Sequence, residues 1–511
     1  MSSLYARLLQ WAAVRPEAPC VIEAETGRTL TYRECVSAVQ ATCRLLGARP
    51  ATVFLALPAG MANAVVWLSA LAGGHMLVPL AANAPAREWA ALVTRFAPDV
   101  VYADADPPLT AERVAQLRLP VMSRARCEEL MARAESRSAK GLPALRGAVG
   151  EGRVCLMTSG STGEPKPVIL TERQLAWTAG QVARSHALTP ADRGLTVLPF
   201  SHVNAPVVSL CASVLSGSAV IIAQRFSLHR FWPWIEQHRA TWASIVPTIV
   251  ALLLQVERPV FLPGALRFVR TASAPLPPIH LRQFELRFGV PVIETYGLTE
   301  AASQVCANPA PPGHRKPGSV GVPYGVSLRI CHPQPSGATS AAHDVVPGTV
   351  GEICIAGPSV IAGYGSVGAR PAHYGWLRTG DLGYQDADGY IYLTGRLRDV
   401  INRGGENIAP REIEEVLLAH ASVRDAAAIG RPDPVYGEQV VAYIVVHESR
   451  TAALDERLHA HCAKHLSPHK VPISFIVVKQ LPRGVTGKLD RRQLRIGLVS
   501  QEPRHEDGCV A

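Results

Sequence analysis

The sequence predicts an α/β fold: a large amino-terminal domain of helix-covered, mostly parallel sheets with a β-rich subdomain, then a small mobile α+β domain. Three observations predict it. Short apolar runs alternate with segments of three- and four-residue apolar spacing as far as Thr295. The chain turns rich in Pro and Gly over 308–323 and then takes on strand patterning. Beyond Gly395 a smaller alternation of helix and strand begins.

Taken in order, residues 4–13 have the spacing of an amphipathic helix, and 20–23 and 29–32 that of short strands. Helices are expected at 33–46, 62–72 and 86–96, with strands at 52–57, 76–80 and 100–102. After a strand at 153–156, further strands fall at 195–199, 220–223, 243–246, 266–271 and 291–295, with helices at 232–239 and 248–255. Strands at 327–330, 352–356 and 390–394 make the β-rich part, within about 318–395 of a 1–395 domain. The DADG run at 386–389 marks a turn. In the last unit, 399–500, Pro410 starts a helix with Glu412 and Glu414 near its positive end. Strands follow at 423–429, 440–447 and 473–478, with a helix at 454–465; the tail at 501–511 is expected to be disordered.

Composition excludes several classes. The 511 residues are 48% hydrophobic and 18% charged, a globular balance with room for several cores. A formal charge of +10 is spread out, with no run of like charge and no basic stretch interleaved with aromatics. No nucleic-acid partner is expected, and anionic small molecules account for the excess. The 11 cysteines show no CxxC spacing, as reduced thiols do. The start, MSSLYARLLQW, lacks a signal-peptide pattern, and the uncharged run 195–224 is broken by Pro199, Pro206 and Gly217. A cytoplasmic protein without a membrane span is expected; oligomeric state is not readable.

Five constellations carry candidate chemistry. The first, MTSGSTGEPKPV at 157–168, places hydroxyls and glycines before Lys166. Glycine lets backbone approach an anion, successive N–H groups form a nest, and lysine adds a point charge, all suited to polyphosphate. The composition alone fits a surface linker equally well. A P-loop is excluded, because Pro165 stands where that motif needs glycine. The second, ETYGLTEA at 294–301, offers a ring for a base, a hydroxyl for phosphate and a carboxylate for a metal. The third, RTGDLG at 378–383, contains Asp381, whose two oxygens suit a ribose diol. The fourth is GRLRDVINRGGENIAPREIE at 395–414, and the fifth is PRGVTGKLDRR at 482–492, where Lys488 follows a glycine.

In this order the five resemble the adenylate-forming superfamily of acyl-CoA synthetases, peptide-synthetase adenylation domains and luciferases. The resemblance runs from LTYREC at 30–35 through TGKLDRR. The segments FSLHRFWPWIEQHRATWASIVP at 226–247 and PGHRKPGSVG at 312–321 look most like oxalate–CoA ligases and related small-acid CoA synthetases. GGENI at 404–408 is typical of CoA ligases. The resemblance implies an AMP-forming ligase using ATP, Mg²⁺ and coenzyme A. A carboxylate attacks the α-phosphorus to give acyl-adenylate and pyrophosphate, and a thiol then displaces AMP. A carrier-protein thiol or an amine is the alternative acceptor.

By position, the resemblance implies that Thr158, Ser159, Gly160, Ser161, Thr162 and Gly163 wrap the β- and γ-phosphates beside Lys166. Ala274 stands in the adenine-edge segment, and Thr295, Tyr296 and Gly297 hold the base, with Tyr296 stacking on it. Thr299 meets the α-phosphate, and Glu300 with Thr162 holds Mg²⁺. Asp381 takes the ribose hydroxyls, with Arg396 beside it. Lys488 bridges carboxylate and α-phosphate. Rotation at Arg398, in a hinge at 396–398, withdraws Lys488 and brings in Gly404 and Gly405 to form the pantetheine channel. The acid pocket falls at His202, Asn204, Ser273 and Ala301, with His202 as gate; Asn204 and Ser273 make it not purely apolar. Where relatives read PKG, this chain reads Pro165-Lys166-Pro167, which predicts a stiffer loop exit.

Overall fold

The computed structural model describes residues 3–104, 121–135, 150–159, 165–256, 266–333, 344–365, 375–447, 452–483 and 489–499. Two sheets make the bulk of the larger part. In the nine-stranded sheet the strands Pro19–Glu23, Ala219–Ile222, Arg193–Thr196, Trp242–Ile245, Phe268–Thr271 and Val292–Leu298 lie side by side and parallel. Antiparallel strands close both edges, Thr29–Thr31 at one and Ser303–Ala307 with Val322–Pro323 at the other. The six-stranded sheet runs Val121–Met122, Val100–Ala103, Thr52–Ala56, Met76–Pro79, Arg153–Ser159 and Pro165–Thr171, antiparallel only in its last pair.

Burial explains the layering. Strands of the larger sheet such as Ala219–Ile222 and Trp242–Ile245 are buried throughout, as parallel strands covered on both faces must be. The helix Met61–Ala72 is apolar nearly all round because it touches strands of both sheets and lies between them. A reciprocal cap of Thr171 and Gln174 starts the helix Glu172–Ser185 directly after the Pro165–Thr171 strand.

The uncharged run 195–224 resolves into buried soluble-type elements. Its first strand, Arg193–Thr196, begins two residues earlier than the apolar pattern suggests. A π-helix, Ala205–Cys211, follows, then the helix Ala212–Ser216 and the strand Ala219–Ile222. Pro206 does not break this run; it sits in the first helical turn, where a missing N–H is harmless. Among the described residues no helix is long and apolar enough to cross a membrane. The ten described cysteines are all free and buried.

The β-rich part is a four-stranded antiparallel sheet, Ser327–Cys331, Gly351–Ala356, Leu377–Gln385 and Ile391–Arg396. Its expected turn is present: Gly389 N–H donates to the Asp386 carbonyl, with Gly389 at φ +86. The last unit is a five-stranded sheet of Ile401–Arg403, Glu406–Ile408, Val423–Asp433, Gly437–Val446 and Ser474–Val477. The helices Pro410–Leu418 and Ala452–His465 cover it, and Ile408, Ile413, Leu417, Ile444, Leu458 and Phe475 form a core separate from the main one. The tail at 501–511 lies outside the described residues.

Candidate active site

The two flanks of the first hydroxyl-rich stretch pair as antiparallel strands. Thr158 pairs with Lys166 and Ser159 with Pro165, so residues 160–164 connect the two strands. Gly160, Ser161, Thr162 and Gly163 lie outside the described residues. Pro165 and Pro167 fall on the edge strand of the sheet, the place a strand tolerates proline. The Pro167 carbonyl accepts from Gly365 N–H at 3.1 Å, so this residue's polar groups face away from the partner strand. Its missing N–H therefore removes nothing from the Met157 pairing.

The ETYGLTEA stretch is a second hairpin rather than a strand end. The strand Val292–Leu298 continues through it, a short 3₁₀ turn follows at Thr299–Ala301, and Leu298 pairs with Ser303. Gly297 is required by closeness: a Cβ there would lie 1.7 Å from the Ser303 carbonyl oxygen. Ala302 and Ser303 take positive φ angles of 55 and 102, which tighten the return. The turn presents Thr299 and Glu300, both half-buried, while Ala301 is buried and its carbonyl accepts from Thr178. Tyr364 O–H donates to Glu300 Oε1 at 2.8 Å, and Lys166 Nζ lies 5.4 Å from the centre of the Tyr364 ring. One strap thus ties Lys166 to Glu300. It is anchored by Ile361 N–H on the Glu300 carbonyl and by Gln174 on the Ser359 and Val360 carbonyls.

A third cluster joins two sheets. Tyr296 O–H donates to Asp381 Oδ2 at 2.6 Å, and Arg396 Nε sits 2.9 Å from Asp381 Oδ1. Register explains the proximity, since Asp381 and Arg396 are paired across adjacent strands. The Tyr296 phenol is raised well above its ordinary range, by burial first and by the Asp381 charge second. Asp381 next to the neutral tyrosine and the cationic guanidinium makes a buried acceptor facing a ring.

The residues expected to line the acid pocket lie beyond the C-terminal ends of the parallel strands. His202 is half-buried, and Asn204 stands at the start of the π-helix. Asn204 Nδ2 donates to Ser273 Oγ at 3.3 Å. Ser273 takes φ +76, and Ala274 follows it in the same loop. Sequence reasoning missed Arg270, which lies just inside. It is 1% exposed and donates to Asn204 Oδ1 at 2.8 Å, Ser244 Oγ at 3.2 Å and Thr295 Oγ1 at 2.7 Å. Thr295 is occupied with Arg270 and with the Thr271 carbonyl, so it braces the strand ends. The available signal was a second charge, after Arg267, inside the strand-like run LRFVRT. Tyr364, the other residue missed, had no comparable signal, because its partners are remote in sequence.

The last unit holds the remaining candidates apart. Gly404 and Gly405 form the exposed turn between Ile401–Arg403 and Glu406–Ile408, with Gly404 N–H on the Tyr436 carbonyl. Arg398 lies in a 3₁₀ turn, Leu397–Asp399, half-exposed between the two units. Lys488 lies outside the described residues.

A mostly parallel sheet covered by helices, with the Tyr296–Asp381 pair beyond one of its strands, is the architecture of α/β proteins that take ligands at their strand ends. Comparison with known proteins narrows the class. Residues 8–365 match the family described as AMP-binding enzyme, and 412–488 match the AMP-binding enzyme C-terminal domain. The chain belongs to this family, and within it to the AMP-forming acyl-CoA ligases. It is 39% identical over 507 residues to a sulfoacetate–CoA ligase of Cupriavidus necator, covering 96% of each chain. It is also 39% identical over 350 residues to an oxalate–CoA ligase of Arabidopsis thaliana, covering 67% of this chain and 66% of the relative. Its fold matches the crystal structure of ATP-bound MatB from Rhodopseudomonas palustris with TM-score 0.86 and 26% identity, over 97% of this chain and 98% of that one.

Proposed function

We propose that this ligase activates a compact carboxylic acid with MgATP at the Tyr296–Asp381 cluster and passes the acyl group to coenzyme A. The convergence of Tyr296, Asp381 and Arg396 on one bonded cluster, with Thr299 and Glu300 on the same hairpin as Tyr296, carries the reading. The Tyr296 ring takes the adenine, and Asp381 takes the ribose hydroxyls in exchange for its bond from Tyr296.

A carboxylate is a poor acyl donor because its leaving group is oxide. Joining it to AMP supplies a stable leaving group, at the expense of charge gathering on phosphate oxygens. Thr299 donates to the α-phosphate, Lys166 and the loop of Thr158, Ser159, Gly160, Ser161, Thr162 and Gly163 hold the outer phosphates, and Lys488 bridges the two reactants. Glu300 and Thr162 would hold Mg²⁺, which when bound would supply positive charge to neutralise the phosphates. The fit is good: Glu300 is a hard oxygen donor whose Oε1 accepts only a tyrosine hydroxyl among the described residues. After pyrophosphate leaves, turning at Arg398 carries Lys488 away and brings Gly404 and Gly405 to the pantetheine, with His202 gating the acid pocket. The buried reduced thiols suit a cytoplasmic enzyme.

The test supplies purified protein with MgATP and a panel of acids, reading pyrophosphate, and then adds coenzyme A. Acid-dependent pyrophosphate followed by thioester is expected. A loaded carrier protein or an amide in place of thioester would overturn coenzyme A as acceptor. Lys488→Ala should lower adenylation about 10²–10³-fold, the scale of one lost preorganised contact. Transfer from supplied acyl-adenylate should be much less affected, and an equal fall in both halves would remove Lys488 from its role.

A further inference from the structure

Arg270 is a buried cation without a counter-ion among the described residues. Each of its described acceptors, on Asn204, Ser244 and Thr295, is neutral, and its Nε donates to nothing among the described residues. No described carboxylate lies within ion-pair distance. Burying an unpaired charge is expensive, and desolvation alone pushes this guanidinium down to about 9. His186, buried nearby, offers no negative charge: burial first and the Arg270 charge second hold its imidazole neutral. A purely structural brace across these strand ends could be made with neutral side chains.

The hydrogen bonds point the same way. Arg270 has only donors, so Asn204 must turn its Oδ1 inward and its Nδ2 outward. Nδ2 then donates to Ser273 Oγ, leaving the Ser273 hydroxyl hydrogen to donate onward. Ser273 is half-buried, whereas Arg270 is 1% exposed. Donors therefore run outward from a guanidinium, each polarising the next, and end at the half-buried Ser273, one of the residues expected to line the acid pocket.

We infer that this pocket selects acids carrying a second anionic group, a carboxylate or a sulfonate, which the Arg270–Asn204–Ser273 chain receives at its outer end. The inference rests on the adenylation reading of this site and adds the substrate class. The first carboxylate of such an acid goes to the α-phosphorus. The second anion supplies the charge that Arg270 lacks, so it enters a site already built for it.

The experiment compares kcat/KM for malonate and for sulfoacetate with that for propionate, a monoanion of similar length, by pyrophosphate release and thioester formation. At least one dianion should exceed propionate by about 10²-fold or more. Arg270→Gln should bring that ratio towards one, chiefly through the KM of the dianion, and Arg270→Lys should restore part of it. Ser273→Ala, which leaves the sheet untouched, should lower the ratio about tenfold and keeps the test valid if Arg270→Gln does not fold. Preference for malonate alone or for sulfoacetate alone identifies which second anion is read. Wild-type protein that turns over propionate as well as both dianions overturns the inference while sustaining the adenylation reading. Ratios unmoved in both Arg270→Gln and Ser273→Ala also overturn it. Failure of every acid to release pyrophosphate overturns the adenylation reading instead.

Discussion

Glu300 already has a hydrogen-bond partner within the fold. Tyr364 donates to its Oε1 while lending its ring to Lys166, and the strap carrying Tyr364 is itself held by the Glu300 carbonyl. A cation binding this carboxylate competes with that hydroxyl, whose phenol burial and the Glu300 charge raise above its ordinary range. A hydrogen bond to a charged group contributes about 1.5–3 kcal/mol net, and less here because Tyr364 is 47% exposed. Tyr364→Phe keeps the ring over Lys166 and deletes only the competitor. It should lower the Mg²⁺ concentration for half-maximal pyrophosphate release about three- to fivefold. A rise in that concentration would mean that the hydroxyl assists the metal instead.

Among the elements, the hairpin from Val292 to Ala307 does most to fix the site, and Gly297 decides its shape. A methyl group at Gly297 meets a backbone carbonyl, which cannot retreat without opening the turn that presents Thr299 and Glu300. Gly297→Ala should destabilise the fold by about 1–3 kcal/mol, the usual range for overpacking. Its adenylation rate should fall further, about 10²-fold, because a displacement near 1 Å is felt strongly at reacting groups. Thermal unfolding and pyrophosphate release measure the two separately, and wild-type values in both would show that the hairpin yields. This element also shows how far the sequence could be read. Alternating apolar runs were enough for the parallel strands, because burial on both faces leaves a continuous pattern. Motif order was enough to gather Tyr296, Asp381 and Arg396. The strand's passage through ETYGL was not legible, since a hairpin depends on positive φ at Ala302 and Ser303, where the residue types give no hint. The helix Glu172–Ser185 was not among the expected elements, although its buried Leu175, Ala179 and Val182 recur at helical spacing. Arg270 stood visible as a second charge in a strand-like run, but its lack of a counter-ion among the described residues appears only in three dimensions.

At the scale of the whole molecule, the two units meet where the helix Pro410–Leu418 faces the larger body. Arg411 bridges them: it donates to the Leu393 carbonyl at 2.6 Å and to Glu415 Oε1 at 2.7 Å. On the larger side of this junction lies Glu294, 4% exposed, accepting from Gly318 N–H at 2.9 Å. Burial pushes its carboxyl up to about 8, opposed by the Gly318 bond and the Arg411 charge and reinforced by Glu415 and Glu285. An unfolded carboxyl loses its proton near its ordinary value of about 4.5. Between that pH and about 8 the folded chain holds a proton that the unfolded chain has released. The stabilisation is therefore complete below the ordinary value, declines as pH rises through this window, and is level above about 8. Glu294→Gln keeps an acceptor for Gly318 N–H and removes the titration. Denaturant midpoints of wild type should fall between pH 5 and 8, and those of Glu294→Gln should fall less steeply over the same range. Equal slopes would show that Glu294 is already ionised in the folded chain, held so by Arg411 across the junction; disrupting that contact with Arg411→Met would then lower the midpoint at pH 8 more than at pH 5.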